Sequence, residues 1–332
     1  MHRSTAAMQP ASAILSKKRI KERAAQKKTF WGFLNSHIRR IAIEVFNLFF
    51  NHDFVFRLIG AVNKRLGIIE SVFLVYPAND DYGLAYAYNS RLRRNKWIPW
   101  PVGFFRQNGK MGIKFAISAH NGDFRDSASK RNLRSVMERM EKIRILLGAK
   151  RKSFAGILPG VLFAHRLVKE VYEAEVTAEI VKRVIKKVMV QEGLDEKTPI
   201  IILGGRGFIG RRVVASLPKD SVFSVDIAGN GRTIWPLHLK GKPALLVNIS
   251  LSSVLSQYLP LLWPGMVVIN EVYPEPEPKV VEYLESIGCH LYHIIGVKAK
   301  ALPSFPHGYK GGIPCCAARL TEEMEVLYSK VV

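Results

Sequence analysis

Cysteine is scarce in this chain: Cys289, Cys315 and Cys316 are the only three in 332 residues. Three thiols with no CxxC spacing exclude a disulfide scaffold and a cysteine zinc site. The adjacent pair Cys315-Cys316 points to a reducing compartment, hence to a cytoplasmic protein. His120, His165, His290, His293 and His307 fall into no H-x-x-x-H or H-E-x-x-H set, so a metal centre has no support in the sequence. No apolar run reaches the ~18 residues of a membrane span, because Glu44, Asp53 and Arg57 interrupt each one. The start is basic and lacks the apolar core and cleavage site of a secretory leader. There is no internal repeat. Acidic residues are also few, and unevenly so. Residues 1–199 hold 37 Lys+Arg against 17 Asp+Glu, whereas residues 200–332 hold 13 against 10.

The resulting net charge of +23 attracts polyanions: nucleic acid, an acidic bilayer surface or an acidic partner protein. Hydrophobic content of 48% argues against wholesale disorder, and the length favours two domains. Four regions follow. Residues 1–28, with eight Lys/Arg and one Glu, form a basic flexible arm. Residues 29–68 carry an amphipathic helical stripe through Trp31, Leu34, Ile38, Ile41, Val45 and Leu48. That stripe fits a helix packed on the first domain or against a second copy, as in a homo-oligomer; equally it fits an interfacial helix on anionic lipid. Residues 69–195 read as an N-terminal α/β substrate domain, and residues 196–332 as a dinucleotide-binding domain.

Within the first domain, "SVFLVYPAND" predicts a strand ending at a turn, and "WIPWPVGFFRQNGKMGIKFAIS" two strands around an Asn-Gly turn. "SASKRNLRSVMERMEKIRILLGA" predicts a helix capped by Ser129 and ended by Gly148. "SFAGILPGVLF" reads as a short strand plus loop. A long helix is expected from Lys169 to Gln191, with Val176, Ile180, Val184 and Val188 in one row and Val181 and Ile185 beside it.

That helix delivers the chain to "IIILGGRGFIGRRVV". Gly204, Gly207 and Gly210 give G-x-x-G-x-x-G, and Gly205 adds a G-x-G variant, between a strand and the helix start at Phe208 and Ile209. Glycine permits the tight turn and close approach of a pyrophosphate, and a helix N-terminus offers free N–H groups. A second strand, "SVFSVD", ends at Asp226, 22 residues after Gly204. A carboxylate is expected there to grip a ribose 2′-hydroxyl, which favours NAD; Arg211, Arg212 and Arg232 keep NADP open. A short-chain dehydrogenase is excluded, since no Tyr after the loop is followed four residues on by Lys. Only about 120 residues remain after the loop, so the substrate domain precedes the dinucleotide fold, unlike the usual order.

From "ALLVNISLSS" through "GMVVINEVYPEPEPKVVEYLESIGCHLYHIIGV" the sequence resembles the shikimate dehydrogenase-like group of cofactor domains. The resemblance covers about residues 200–300. It rests on Asn248-Ile249-Ser250, on Glu271 to Pro276, and on a strand leading to Gly296. It implies a two-domain aminoacid-dehydrogenase-like fold with NAD between the domains, Asn248 and Ser250 at the cofactor, and Gly296 on the nicotinamide side. The family's "N-V-T-x-P-x-K" segment is absent, so the shikimate activity does not follow; "AISAHNGDF" sits roughly where that segment belongs. The architecture is also similar to long-chain acyl-carrier-protein reductases, whose late cysteine forms an acyl-enzyme, and "GYKGGIPCCAAR" offers Cys315 at a comparable place. That resemblance implies NAD(P)H-dependent reduction of an acyl thioester, with acyl-CoA or an acidic acyl carrier protein as partner. Lys310, Arg319 and His307 would depress the thiol pKa, and glycines 308, 311 and 312 would let the loop bend.

Lys114, His120, Asp123 and Asp126 lie close in sequence in an expected loop, which makes Lys114 and Asp123 further catalytic candidates beside a merely solvated reading. Two alternatives stand next to the reductase: an NAD-dependent dehydrogenase of another small substrate, and a basic membrane- or polyanion-binding protein with a redox-sensing Rossmann domain. The basic half contains no recognised DNA- or RNA-binding motif, which puts a lipid surface and an acidic carrier protein ahead of nucleic acid.

Overall fold

The computed structural model describes residues 38, 41–42, 44–77, 95–124, 126–226, 234–305 and 309–332. The basic arm, Trp31 and Leu34 of the amphipathic stripe, and Arg232, His307 and Gly308 lie outside them. Among the described residues, helices α1 (Glu44–Phe50) and α2 (Asp53–Leu66) precede the first strand, with a bend of 75° between them. Among the described residues no single helix is long and apolar enough to cross a membrane.

Strand β1 (Ile69–Val75) is followed by the expected hairpin of β2 (Trp100–Gln107) and β3 (Lys110–Ala116). Its turn residues Asn108 and Gly109 both take positive φ, 46° and 78°, which matches the twist of a two-residue hairpin. The one-turn helix α3 (Asn121–Phe124) and helix α4 (Lys130–Leu146) lead to β4 (Arg151–Phe154). Ser129 precedes α4 as expected, but its hydroxyl donates to the Asp123 carbonyl at 2.6 Å instead of capping the helix. After β4 the expected loop is a helix, α5 (Leu158–Ala164). Pro159 sits in its first turn, where a missing N–H is harmless, and Leu158 and Leu162 are buried.

The second half runs α6 (Tyr172–Gln191), β5 (Ile200–Leu203), α7 (Gly210–Ala215), β6 (Val222–Val225), β7 (Leu245–Asn248), α8 (Ser252–Tyr258), β8 (Val267–Asn270), α9 (Pro278–Ser286), β9 (His290–Lys298), β10 (Lys300–Leu302), β11 (Gly312–Ile313) and β12 (Val326–Lys330). Strands β6, β5, β7, β8 and β9 lie side by side in that order, all parallel. β11 and β12 add antiparallel edges on β9. Every residue of β5, β7 and β8 is buried, as expected for strands covered on both faces. From β5 the chain goes to one neighbour, β6, and returns on the other side as β7. The C-terminal ends of β5 and β7 are therefore a topological switch point.

The first sheet has the order β10-β2-β3-β1-β4. β1 is parallel to β3 and β4, and β2 is antiparallel to β3. Phe115, Phe124, Leu133, Met140 and Ile143 fill its core, together with Phe56 of α2. The molecule is thus α/β, with an N-terminal α/β layer followed by a C-terminal doubly wound Rossmann sheet. The two share more than a linker. β10 leaves the second half to pair with Phe104–Arg106 of the first sheet. Helix α6 packs its row Val176, Ile180, Val184 and Val188 onto Ile200, Ile202, Leu245 and Val247 of the second sheet. By sequence that helix falls in the 69–195 region; by packing it covers the Rossmann sheet.

Candidate functional site

The glycine turn starts at the end of β5. Gly204 has φ of 89°, a conformation that costs a side chain but not glycine, and its N–H donates to the Val225 carbonyl at 2.7 Å. Any Cβ there would lie 3.1 Å from the backbone of Ser250. Gly210 opens α7 so close to the turn that a Cβ would fall 2.0 Å from the Gly204 carbonyl oxygen. Gly205 and Gly207 complete the loop, with the Gly207 N–H bonded to Gly204 O at 2.9 Å. α7 spans only six residues, so it contributes a short helix dipole at most.

Asp226 follows β6, the parallel neighbour of β5. Its Oδ2 accepts the Arg206 N–H of the glycine loop at 2.9 Å and the Ser224 hydroxyl at 3.3 Å. The carboxylate is half-buried beside the turn. Phe208, in the loop, packs on Phe163 of α5 with ring centroids 5.1 Å apart. The guanidinium groups of Arg211 and Arg212 stand 5.2 and 4.6 Å from its ring. Arg212 also bonds Glu175 at 2.5 Å and the Phe208 carbonyl at 2.7 Å, which occupies a guanidinium considered for a 2′-phosphate. Ile209 packs partly buried against the second core.

Asn248, expected at the cofactor, ends β7. It is fully buried, and its Nδ2 donates to Asn270 Oδ1 at 2.8 Å while its Oδ1 accepts the Ser250 N–H at 3.2 Å. The chain continues from Asn270 Nδ2 to the Val272 carbonyl and to His293 Nδ1, at 2.7 and 3.1 Å. Asn248, Asn270 and His293 are cross-strand partners at the ends of β7, β8 and β9. Together they form a buried polar rail that shapes the Ser250 turn. Burial lowers the His293 pKa, which keeps the ring a neutral acceptor. Gly296 also has a packing reason, since a Cβ would meet the Ile313 carbonyl at 2.1 Å.

Groups that follow parallel strands of both sheets lie close to one another. From the first sheet come Tyr76, after β1, and Gly156, after β4; the Ile157 N–H donates to the Tyr76 hydroxyl at 2.9 Å. From the second come Glu271, after β8, and Tyr273, whose ring lies 4.9 Å from Tyr309. Cys315 and Cys316 form a short 3₁₀ turn here. Burial, then Glu271 and Cys316, push the Cys315 thiol well above its ordinary value. Burial pushes Cys316 up to about 12 and the Glu271 carboxyl up to about 8.

The expected cationic surroundings of Cys315 are therefore absent among the described residues. Lys310 is exposed, and Arg319 pairs with Glu70 at 3.0 Å. Gly312 is buried in β11 instead of bending a loop. Lys114 is also not in a loop. It lies in β3, and its ammonium donates to the Pro303 carbonyl and sits 4.5 Å over the Phe305 ring; burial lowers it to about 8. Asp123 has other partners, Lys96 Nζ at 2.5 Å and the His120 N–H at 3.0 Å. Burial alone would raise its pKa, but those two bonds hold it below the ordinary value. Lys114 and Asp123 thus do not form one catalytic pair. Among the described residues no group of three or more His, Cys, Asp or Glu is placed to hold a metal ion.

No protein-family model and no curated protein matches the chain. Among solved structures it is similar to shikimate 5-dehydrogenase from Listeria monocytogenes, determined in complex with shikimate and NAD. The identity is 10%, the match covers 68% of this chain and 86% of that one, and the TM-score is 0.36. It is also similar to VinN, at 11% identity over 82% of this chain and 76% of that one, with a TM-score of 0.28. A long-chain-fatty-acid-CoA ligase from Archaeoglobus fulgidus matches at 12% identity over 78% of this chain and 60% of that one, with a TM-score of 0.24. At these values the likenesses assign no activity.

Proposed function

We propose that this protein is an NAD(H)-dependent oxidoreductase working in the cleft between its two sheets. One observation carries the reading: at the switch point, the glycine turn and the Asp226 carboxylate are joined by the 2.9 Å bond from Arg206 N–H to Oδ2. A Cβ at Gly204 or Gly210 would run into Ser250 or the Gly204 carbonyl, so the tight turn itself requires both glycines. A turn of that shape is what a dinucleotide loop uses. Gly204, Gly205 and Gly207 would hold the pyrophosphate, Asp226 the ribose diol, and Ser250 would border the ring end. A bound nicotinamide supplies or accepts hydride at C4. The protein would supply the rest: neutral Glu271, Tyr309 and Tyr76 as groups able to give a proton to a carbonyl oxygen.

The substrate class we put first is an acyl thioester, as acyl-CoA or an acyl carrier protein, because Cys315 lies in that cleft next to Glu271. NADP is kept as the second cofactor, since Arg206 and Arg211 border the same loop. The test is a fluorescence titration of the whole protein with NADH and NADPH. Saturable binding is expected, and Asp226→Ala should weaken NADH about tenfold or more, as loss of a charge-assisted hydrogen-bond pair does, while changing NADPH less. Absence of binding by either nucleotide would sink the assignment.

A further inference from the structure

Helix α2 is held to the protein by one face. Phe56, Gly60 and Asn63 are its buried residues. A Cβ on Gly60 would lie 1.8 Å from the Leu146 carbonyl oxygen of α4. The Asn63 amide donates to the carbonyls of Ile69, Leu147 and Gly148 at 2.8, 3.0 and 3.1 Å. These contacts fix the rotation of the helix, so the opposite face is a defined surface and not a side waiting to turn inward.

That face is apolar. Phe54, Leu58, Val62 and Leu66 repeat at four-residue spacing and are 68, 53, 58 and 60% exposed. Beside them Arg57, Lys64 and Arg65 are exposed as well. The single carboxylate of the helix, Asp53, is tied to Arg139 at 2.5 Å and Lys142 at 2.7 Å. Helix α1 adds exposed Phe49 and Phe50, and is pinned to the first sheet by the Asn47 amide on the Pro101 carbonyl at 3.1 Å. A soluble surface seldom leaves such a continuous row of large apolar side chains without a partner.

We propose that α1 and α2 are a docking surface for an anionic lipid bilayer, with the α2 row in the acyl-chain boundary and Arg57, Lys64 and Arg65 among the headgroup phosphates. Charge complementarity selects this occupant. Residues 1–28 bring eight Lys/Arg and one Glu directly upstream, and the whole chain carries +23. A second copy docked on the same face would set the two cationic rims against each other. Nucleic acid would engage the cations but leave Phe54, Leu58, Val62 and Leu66 in water. Docking is interfacial and not spanning: α2 has 14 residues and is about 21 Å long, short of the ~30 Å hydrocarbon core. Although α1 and α2 together have the length and composition of a span, the 75° bend between them and the seating of α2 on α4 at Gly60 break it. This inference is independent of the cofactor reading.

The experiment is flotation of the full chain with vesicles of phosphatidylcholine, alone or with about 30% phosphatidylglycerol. We expect flotation with the anionic vesicles only, reduced by about 0.5 M salt. Leu58→Asp with Val62→Asp should lower the bound fraction about tenfold at an unchanged thermal midpoint, and Arg57→Glu with Arg65→Glu should remove the preference for anionic lipid. Equal flotation of these variants, or none of the parent protein, overturns the proposal. So does a dimer in sedimentation, or a complex with duplex DNA, that Leu58→Asp with Val62→Asp disrupts.

Discussion

The Cys315 thiol sits among Glu271, Cys316 and Tyr309, and its use as a nucleophile depends on which group takes its proton. Burial keeps it protonated at neutral pH, so an acyl-enzyme requires a neighbouring base. Glu271 is the acceptor at hand, and with its carboxyl pushed up to about 8 it is largely protonated below that pH. The step would balance as follows: the thiol proton moves to the Glu271 carboxylate, Sγ attacks the thioester carbonyl carbon, and the departing thiolate recovers that proton. Only ionised Glu271 can act, so acyl transfer from acyl-CoA in the absence of nicotinamide should rise with pH up to about 8 and then level off. Intact mass should show one added acyl group, absent in Cys315→Ala. Glu271→Gln should slow its appearance by a factor on the order of 10². If Cys315→Ala still gains the acyl group, Cys315 is a lining residue and the substrate class falls with it.

Between elements, the close crossing of α2 and α4 makes an equally sharp demand. In an isolated helix, alanine is better than glycine by ~1 kcal/mol. At Gly60 the methyl would enter the Leu146 backbone, which cannot rotate away, so packing strain wins. Gly60→Ala should destabilise the fold by about 1–3 kcal/mol, read as a lower melting temperature by circular dichroism. An unchanged or raised midpoint would show that the helices are not in this close contact. The sequence made some elements plain and others not, for physical reasons. The hairpin at Asn108-Gly109, the ends of α4 and the turn from Gly204 to Gly210 depend on neighbours in the chain, where glycine, asparagine and periodicity speak directly. The rail Asn248–Asn270–His293 depends on registers between three separate strands, so nothing in the linear sequence joins its members. Helix α5 was hidden by Gly160 and Pro159, both breakers out of context. Of the cations expected near Cys315, Lys310 is exposed and Arg319 turns to Glu70, because nearness in sequence says nothing of direction, while the carboxyl of Glu271 arrives from a distant strand.

Across the whole molecule the two sheets are bound by segments that each belong to the other half. β10 completes the first sheet from within the second. The Gln107 side chain clamps Arg319, accepting its N–H at 2.8 Å and donating to its carbonyl at 2.9 Å. Glu173, in the first turn of α6, accepts the Phe154 N–H of β4 at 2.8 Å. Helix α6 itself contributes Val176, Ile180, Val181, Val184, Ile185 and Val188 to the core of the second sheet. At roughly 1.5–3 kcal/mol per buried aliphatic side chain, an upper estimate, that face is worth on the order of 10 kcal/mol, comparable to the whole stability of an ordinary domain. A fragment beginning at residue 196, where the sequence alone would cut, should therefore aggregate or fall to protease at once. A fragment beginning at residue 168 keeps α6 and should stay soluble with one cooperative melt, below the midpoint of the full chain because β10 and Arg319 lose their partners. Limited proteolysis and thermal melts of the two fragments decide it. Should the shorter one fold as well as the longer, α6 is not the cover of the Rossmann sheet, and the packing of the two halves must be redrawn.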